Sequence, residues 1–161
     1  MFRKMRRHRQ ELNREETIRI LNENTSGVLG LIGDGGYPYT VPVSYVYDDN
    51  KIYFHSGRAG HKVDAINSSP KASFCVIDKD EVVPLEYTTY FRSVIAFGRV
   101  RFIEDEKEIM RAIDMLARKY APADTDQNRS EAIKREYSQL AMAVIEIEHM
   151  TGKQAIELVR E

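Results

Sequence analysis

The sequence predicts a mainly antiparallel β-barrel with helices on its flanks, in a single domain that spans residues 1–161. About six segments have strand composition, the turns between them are short, and strands rarely alternate with helices. A doubly wound parallel sheet requires regular alternation of strands and helices, so these three observations favour an antiparallel barrel. A chain of 161 residues is also long enough to bury one sizeable core.

The composition restricts the classes of function. Lys and Arg total 24 and Asp and Glu total 25, so a formal net charge of -1 gives no global field that attracts nucleic acid or an acidic substrate. No apolar run is long enough to span a bilayer or to form a signal peptide, so we expect no membrane partner and a cytoplasmic location. The single Cys75 cannot form an internal disulfide, and its apolar surroundings are typical of a small core residue.

The N-terminal segment, residues 1–10, is rich in basic side chains. It is either an arm that binds nucleic acid or a lead-in that is solvated or packed against a partner, and the second interpretation is favoured because the rest of the chain is not basic. Asn13 is then a candidate N-cap, with Glu16 as its capping-box partner, for a short helix that ends near Asn24.

A hairpin follows this helix. Residues 27–33 form a short apolar run with glycine at both ends, and residues 34–36 have the Asp-Gly-Gly chemistry of a tight turn. The strand that begins at Tyr37 should therefore return antiparallel. Pro42 lies within that strand and donates no hydrogen bond, so the strand should be an edge strand or be bulged at this position.

A second hairpin leads into a loop that contains glycines. The run through Tyr47 alternates with a period close to two, and residues 48–50 are short Asx side chains that favour a turn. Residues 52–54 make the returning strand. A short helix begins after the loop and is stopped by Pro70.

This loop and the helix that follows it have the chemistry of an anion site. The N-terminus of a helix presents free backbone N–H groups, and Gly57 and Gly60 allow the backbone to approach a ligand closely. Ser56, His61 and Lys62 add hydrogen-bond donors, and no acidic residue lies in the loop. A phosphate group fits this chemistry, and the alternative is a hairpin followed by a solvated basic turn.

The central part of the chain continues the sheet. Residues 71–77 are nearly all apolar and predict a strand that is buried on both faces, followed by a polar connection at 78–84. A long strand is expected over residues 87–103, in which Gly98 indicates a bulge or bend.

The C-terminal third begins with the clearest helix, residues 104–120, whose apolar residues recur at helical spacing. A second helix is expected at 129–140 and a last strand at 141–147. Residues 151–153 read as a turn, and residues 154–161 have no clear preference.

The catalytic inventory is small. The four histidines and the single cysteine form no metal-ligand pattern such as HExxH or CxxC, and there is no GxSxG or Walker motif. If the protein is an enzyme, a cofactor must therefore supply the chemistry.

Five motifs connect the chain to a known family, and together they extend from about residue 5 to residue 153. They are MRRHRQEL, YPYTVPVSYVYDDNKIYFHS, GHK-x-D-x-I, TTYFRSVIAFGRV and EIEHMTGK. With these motifs the sequence resembles the FMN-binding split-barrel proteins related to pyridoxamine 5'-phosphate oxidase, and among them it is most similar to the nitroimidazole-resistance (Nim) flavoproteins. The resemblance implies a six-stranded split β-barrel and a homodimer with FMN in a groove at the subunit interface.

The resemblance also implies a site. One strand should line the isoalloxazine ring with its backbone and side chains, and its residues are Thr40, Val41, Pro42, Val43, Ser44 and Tyr45. His55 and Ser56 match the strand end beside the flavin. The phosphate should be held at Gly60 by the pair His61 and Lys62, where the oxidase has Arg-Lys.

Arg92 and Ser93 match the position at which the long strand meets FMN, from the second subunit; from the residues alone they are equally well explained as solvent-facing strand positions. The C-terminal segment EHMTGKQAIELVRE does not match the vitamin-binding residues of the oxidase, so pyridoxamine phosphate is not the expected substrate.

These implications lead to a predicted function. The protein should be an FMN-dependent reductase of small nitroaromatic compounds or similar acceptors, and the alternative is a flavin-binding or flavin-storage module without fast chemistry. A split barrel that handles haem is a weaker third possibility. His55, His61 and Tyr45 are the candidates for orienting or protonating the acceptor, although His61 also fits a phosphate ligand and Tyr45 also fits a packing role.

Overall fold

A computed structural model of the protein describes residues 1–160. Within this range one eight-stranded sheet is flanked by four α-helices. The strands are β1 (Glu11–Leu12), β2 (Ser26–Ile32), β3 (Pro38–Ser44), β4 (Val46–Asp48), β5 (Lys51–Ser56), β6 (Lys71–Val83), β7 (Thr88–Phe102) and β8 (Ala141–Gln154). The helices are α1 (Arg14–Glu23), α2 (His61–Ser68), α3 (Glu106–Tyr120) and α4 (Asp126–Glu136).

The strands are paired in the order β3-β2-β6-β7-β8-β5-β4, with β1 on β8, and every pair is antiparallel. β3 and β4 end the order without pairing to each other, so the sheet is not closed. The predicted fold class is therefore confirmed. Eight strands are present rather than six because Tyr45 separates β4 from β3 and because β1, only two residues long, adds to β8.

Local backbone chemistry explains why β3 is an edge strand and why the chain turns between β4 and β5. β3 pairs with β2 alone among the described strands, so Pro42, opposite Val28, lies on an edge where its missing N–H disrupts no ladder. Asp49 and Asn50 have positive φ angles of 43° and 63°, which is the conformation that Asx residues tolerate in tight hairpin turns.

The predicted bulge in the long strand is confirmed at Gly98. Phe97 lies opposite His149 whereas Gly98 lies opposite Ile147, so the register shifts between these two neighbours. A Cβ atom at position 98 would overlap the carbonyl group of Glu146. The bulge therefore requires glycine, because the backbone of β8 occupies the space of a side chain.

Two predicted boundaries are wrong because long-range pairing extends the strands. β6 continues through residues 78–83, expected as a polar connection, because this part pairs with β7 as far as Val83 opposite Thr88. β6 is also buried on one face only, since Ile77 is 59% exposed. The expected turn at residues 151–153 lies inside β8, where Gly152 allows Thr17 and Leu12 to pack against the strand.

The helix ends follow their capping residues. The Asn13 side chain accepts a hydrogen bond from the Glu16 N–H at 2.8 Å, which confirms the predicted N-cap of α1. α4 begins earlier than predicted because Thr125 caps it by accepting from the Asn128 N–H. The C-terminal segment includes a 3₁₀ helix at Ile156–Arg160.

Two apolar clusters stabilise the arrangement. The larger fills the interior of the sheet beneath α1 and includes Tyr45, Phe54 and Phe74. The smaller lies between α3 and the outer side of β4, β5 and β8, and it includes Tyr53 and Met142. Alternate residues of β5 therefore face opposite clusters, which places its C-terminal end between the sheet interior and α3. Among residues 1–160, no helix is long and apolar enough to span a membrane.

Candidate functional site

The N-terminus of α2 is formed by a backbone geometry that only glycine adopts readily. Gly60 is the N-cap residue with φ 123° and ψ 179°, and no side chain within residues 1–160 caps this helix. The other helices have side-chain caps at Asn13, Asp105 and Thr125. The first-turn N–H groups of α2 are thus left for another acceptor, at the positive end of the helix dipole.

Lys62 and His55 lie beside this helix end. Lys62, in the first turn of α2, is half-buried, and Ser56 at the end of β5 is only 4% exposed. Partial burial lowers the pKa of the His55 imidazole, and the positive charge of Lys62 lowers it further. His55 is therefore neutral at pH 7, while Lys62 is the cation that can meet an anion at the helix end.

The His61 side chain is directed towards the β2–β3 turn. Its ring packs against the Tyr39 ring in a tilted arrangement with centroids 4.1 Å apart, and its Nε2 lies 3.8 Å from a carboxylate oxygen of Asp34. The side chain is still 42% exposed. In this arrangement the backbone N–H of His61 belongs to the helix end, and its imidazole fixes α2 against the hairpin.

The strand predicted to line a ligand has two different faces. Thr40 and Pro42 are exposed on its outer face, and Ser44 lines a cavity described below. Val43 and Tyr45 are buried in the interior cluster, and Val41 packs against that cluster. Because side chains alternate along a strand, only Thr40, Pro42 and Ser44 of the predicted stretch can contact a ligand.

Tyr45 does not fit the predicted role of a proton donor. It is 0% exposed, its hydroxyl donates to the Leu21 carbonyl at 2.7 Å, and the Lys119 ammonium lies 4.0 Å from its ring centroid. Burial is the largest cause that raises the pKa of Tyr45. Because the Tyr45 hydroxyl is buried and already donates its proton to a backbone carbonyl, Tyr45 is a packing residue, in agreement with the alternative interpretation.

Arg92 and Ser93 lie on β7. The Arg92 Nε donates to the Gln154 side chain at 3.3 Å, and Ser93 lies opposite Ile77. Ser93 is two residues from Ile95, with which it shares the outer face of the sheet. The register connects Ile95 to the predicted ligand strand through one transverse row, Pro42, Val28, Cys75 and Ile95. Three strand spacings, roughly 14 Å, separate the ends of this row.

A cavity of about 280 Å³ opens beside Ser44 and His55. Its other lining residues come from α3, α4, the start of β8 and the residue before β8, and they are Ile113, Leu116, Ala117, Tyr120, Ala132, Ile133, Glu136, Leu140 and Met142. The sequence predicted part of this wall as the apolar stripe of α3, but helical periodicity does not distinguish a stripe that packs from one that lines a cavity.

Within residues 1–160 no group of three or more His, Cys, Asp or Glu side chains could hold a metal ion. Burial raises the pKa of the half-buried Cys75 thiol, which makes it a poor nucleophile.

Comparison with known proteins gives a family. The sequence model of the pyridoxamine 5'-phosphate oxidase family matches residues 13–154. A search of curated proteins gives no match.

Several solved structures share the fold. A candidate 5-nitroimidazole antibiotic resistance protein from Bacteroides thetaiotaomicron is 22% identical, with a TM-score of 0.73 over 89% of this chain and 86% of the other. A conserved hypothetical protein from Mycobacterium tuberculosis is 18% identical, with a TM-score of 0.81 over 96% and 92%. A FAD-binding protein from Mesorhizobium loti is 25% identical, with a TM-score of 0.64 over 90% and 96%.

The environment of His55 leads to a pH prediction. A pH titration followed by NMR should give His55 a pKa below its ordinary value of 6.5, and Lys62→Ala should raise it part of the way back because burial remains. Lys107→Ala, an exposed position on α3, should leave it unchanged. Because the folded state binds this proton more weakly than the unfolded state, the contribution of His55 to stability is present above 6.5 and lost as the pH falls. A pKa at or above 6.5 would contradict the described environment.

Proposed function

The chain belongs to the pyridoxamine 5'-phosphate oxidase family, and we propose that it is a flavoprotein that binds FMN and reduces small nitroaromatic compounds of the 5-nitroimidazole type or similar acceptors. The observation that carries the proposal is the α2 N-terminus, which no side chain of residues 1–160 caps and beside which Lys62 lies. Free N–H groups, a positive dipole end and one ammonium form a donor set for a phosphate group.

The residues around this helix end fit FMN. The backbone at Gly60 can approach the phosphate closely, and Lys62 supplies the charge. Thr40 and Pro42, exposed on the outer face of β3, would hold the flavin ring together with Ser44 and His55. FMN is proposed rather than FAD because its terminal phosphate carries nearly two negative charges, which this helix end and Lys62 can balance. The Mesorhizobium loti relative binds FAD, so both flavins belong in the binding test.

The proposed reaction combines the redox chemistry of a bound flavin with the substrate class that one similar protein suggests. A bound flavin supplies two electrons, which with two protons convert an aromatic nitro group into a nitroso group and water, and a reduced nicotinamide nucleotide restores the electrons. The nitro compound is suggested by the resistance protein of Bacteroides thetaiotaomicron. His55 and His61 are the candidates to hold or deliver a proton, and a nicotinamide reductant favours a cytoplasmic location.

A non-catalytic flavin-binding or storage module is the second candidate. The donor set at the α2 N-terminus can bind a flavin phosphate whether or not the bound flavin reacts with an acceptor. The two candidates differ only in whether an acceptor reacts with the reduced protein.

We also propose that the protein is a homodimer whose interface includes the outer face of β2, β6 and β7. Large apolar side chains are exposed there, namely Val28, Ile32, Ile77, Ile95 and Phe97. Several exposed apolar side chains on one face of a sheet are typical of a protein–protein interface. In such a dimer the partner's Arg92 and Ser93 would meet the flavin on β3, as the family resemblance implies.

Lys62→Ala should weaken FMN binding about tenfold or more, because a charge-assisted contact to phosphate contributes roughly 1.5–3 kcal/mol. Lys62→Arg should weaken it less, and Lys107→Ala should not change it. Flavin fluorescence during titration of apo-protein measures the affinity, and a thermal melt monitors folding. An unchanged affinity combined with a lower melting temperature would make Lys62 a structural residue.

Reaction of the reduced protein with a 5-nitroimidazole tests the catalytic part of the proposal. The flavoprotein is reduced with dithionite without oxygen and mixed with the nitro compound in a stopped-flow instrument. Flavin reoxidation should be faster than for free reduced FMN and should slow in His55→Ala and His61→Ala but not in His149→Ala, whose ring stacks on Phe2. Reoxidation at the rate of free flavin leaves the binding-module interpretation, and a fast step in both variants removes the proton roles.

The dimer is tested with a charge on the outer face. Ile95→Asp should convert the dimer to a monomer in light scattering and weaken FMN binding, because the partner's contribution is lost. Met110→Asp, at an equally exposed apolar position on α3, should change neither property. A wild-type monomer at working concentration contradicts the proposed interface.

A further inference from the structure

We propose that the cavity beside Ser44 and His55 is a binding pocket for a small, uncharged aromatic molecule that carries a hydrogen-bond acceptor such as a nitro group. This inference rests on the proposed function, for which it supplies the acceptor pocket. It assigns binding to residues of α3 and α4 that the flavin proposal does not use.

The size and walls of the cavity select the class of ligand. Its volume of about 280 Å³ is formed mostly by aliphatic and alanine side chains, including Ile113, Leu116 and Ile133. An apolar cavity of about 150 Å³ in another protein is known to hold benzene, so a substituted five- or six-membered ring has room here. The aliphatic walls disfavour a charged ligand, and the Glu136 carboxylate further disfavours an anion.

Two polar side chains lie together on the sheet side of the cavity, Ser44 at the end of β3 and His55 near the end of β5. Glu136, at the end of α4, also lines the cavity, and its side chain is exposed. The Tyr120 hydroxyl is already donated to the Thr25 carbonyl. His55 is neutral at pH 7, since burial and Lys62 lower its pKa, and a neutral imidazole donates to an uncharged oxygen without placing a cation in the pocket.

The position of these polar groups links the pocket to the flavin. Ser44 and His55 are also the residues that the proposed flavin site places along the ring. An aromatic ligand that directs its nitro group towards Ser44 and His55 therefore has its reducible end against the cofactor. The aliphatic walls hold the rest of the ring, as in most pockets for small molecules.

Binding of 2-methyl-5-nitroimidazole to the oxidised protein tests the pocket without turnover. The ligand should shift amide NMR signals of Ala117, Ala132 and Leu140 in a saturable manner. Ala117→Leu and Ala132→Leu fill the cavity and should weaken binding about tenfold or more, since one misplaced methylene group can cost this much. Glu131→Leu, an exposed change on the same helix α4, should alter the affinity less than twofold.

A second pair of variants and the apo-protein complete the test of the pocket. If a thermal melt shows that a cavity-filling variant is unfolded, Ser44→Ala and His55→Asn replace it. Both should weaken binding of the nitro compound. Signal shifts outside the cavity, or unchanged affinity in the folded variants, overturn the pocket. The same experiment on apo-protein separates the two proposals: binding of the nitro compound in the cavity of a protein that takes up no flavin retains the pocket and refutes the flavoprotein.

Discussion

The backbone geometry at Gly60 is the constraint on which the site depends. A residue with φ 123° begins α2 without a side-chain cap from residues 1–160, so the helix presents its N–H groups outward rather than to its own chain. The His61 ring, packed against Tyr39, fixes this helix end to the β2–β3 hairpin. One local conformation therefore sets the donors, and one aromatic contact sets their position relative to β3.

The sheet then determines which residues reach that helix end. Because side chains alternate along a strand, β3 presents Thr40 and Pro42 outward and gives Tyr45 to the core. β5 divides in the same way, with Phe54 in the interior cluster and Tyr53 beneath α3. The C-terminal ends of β3 and β5 line the cavity, and the loop that leads to the N-terminus of α2 follows β5 directly.

Features with a local cause could be predicted from the sequence. Pro42 on an edge, the turn at Asp49 and Asn50 and the bulge at Gly98 each follow from the chemistry of one or two residues. The extension of β6 and β8 could not, because the pairing of distant strands overrides local composition. The choice between a packing and a proton-donor role for Tyr45 could not be made from the sequence for a similar reason: a period-two pattern gives two faces, and only the packed core decides which face is inside.

Comparison of FMN with riboflavin tests the central claim most directly, because the two ligands differ only in the phosphate. Each is titrated into apo-protein, with FAD as a third ligand, and the dissociation constants are measured at fixed pH and salt. The account predicts that FMN binds about tenfold or more tightly than riboflavin, and that Lys62→Ala reduces most of this difference. Equal affinities for FMN and riboflavin, or no binding of any flavin, would contradict a phosphate site at the N-terminus of α2.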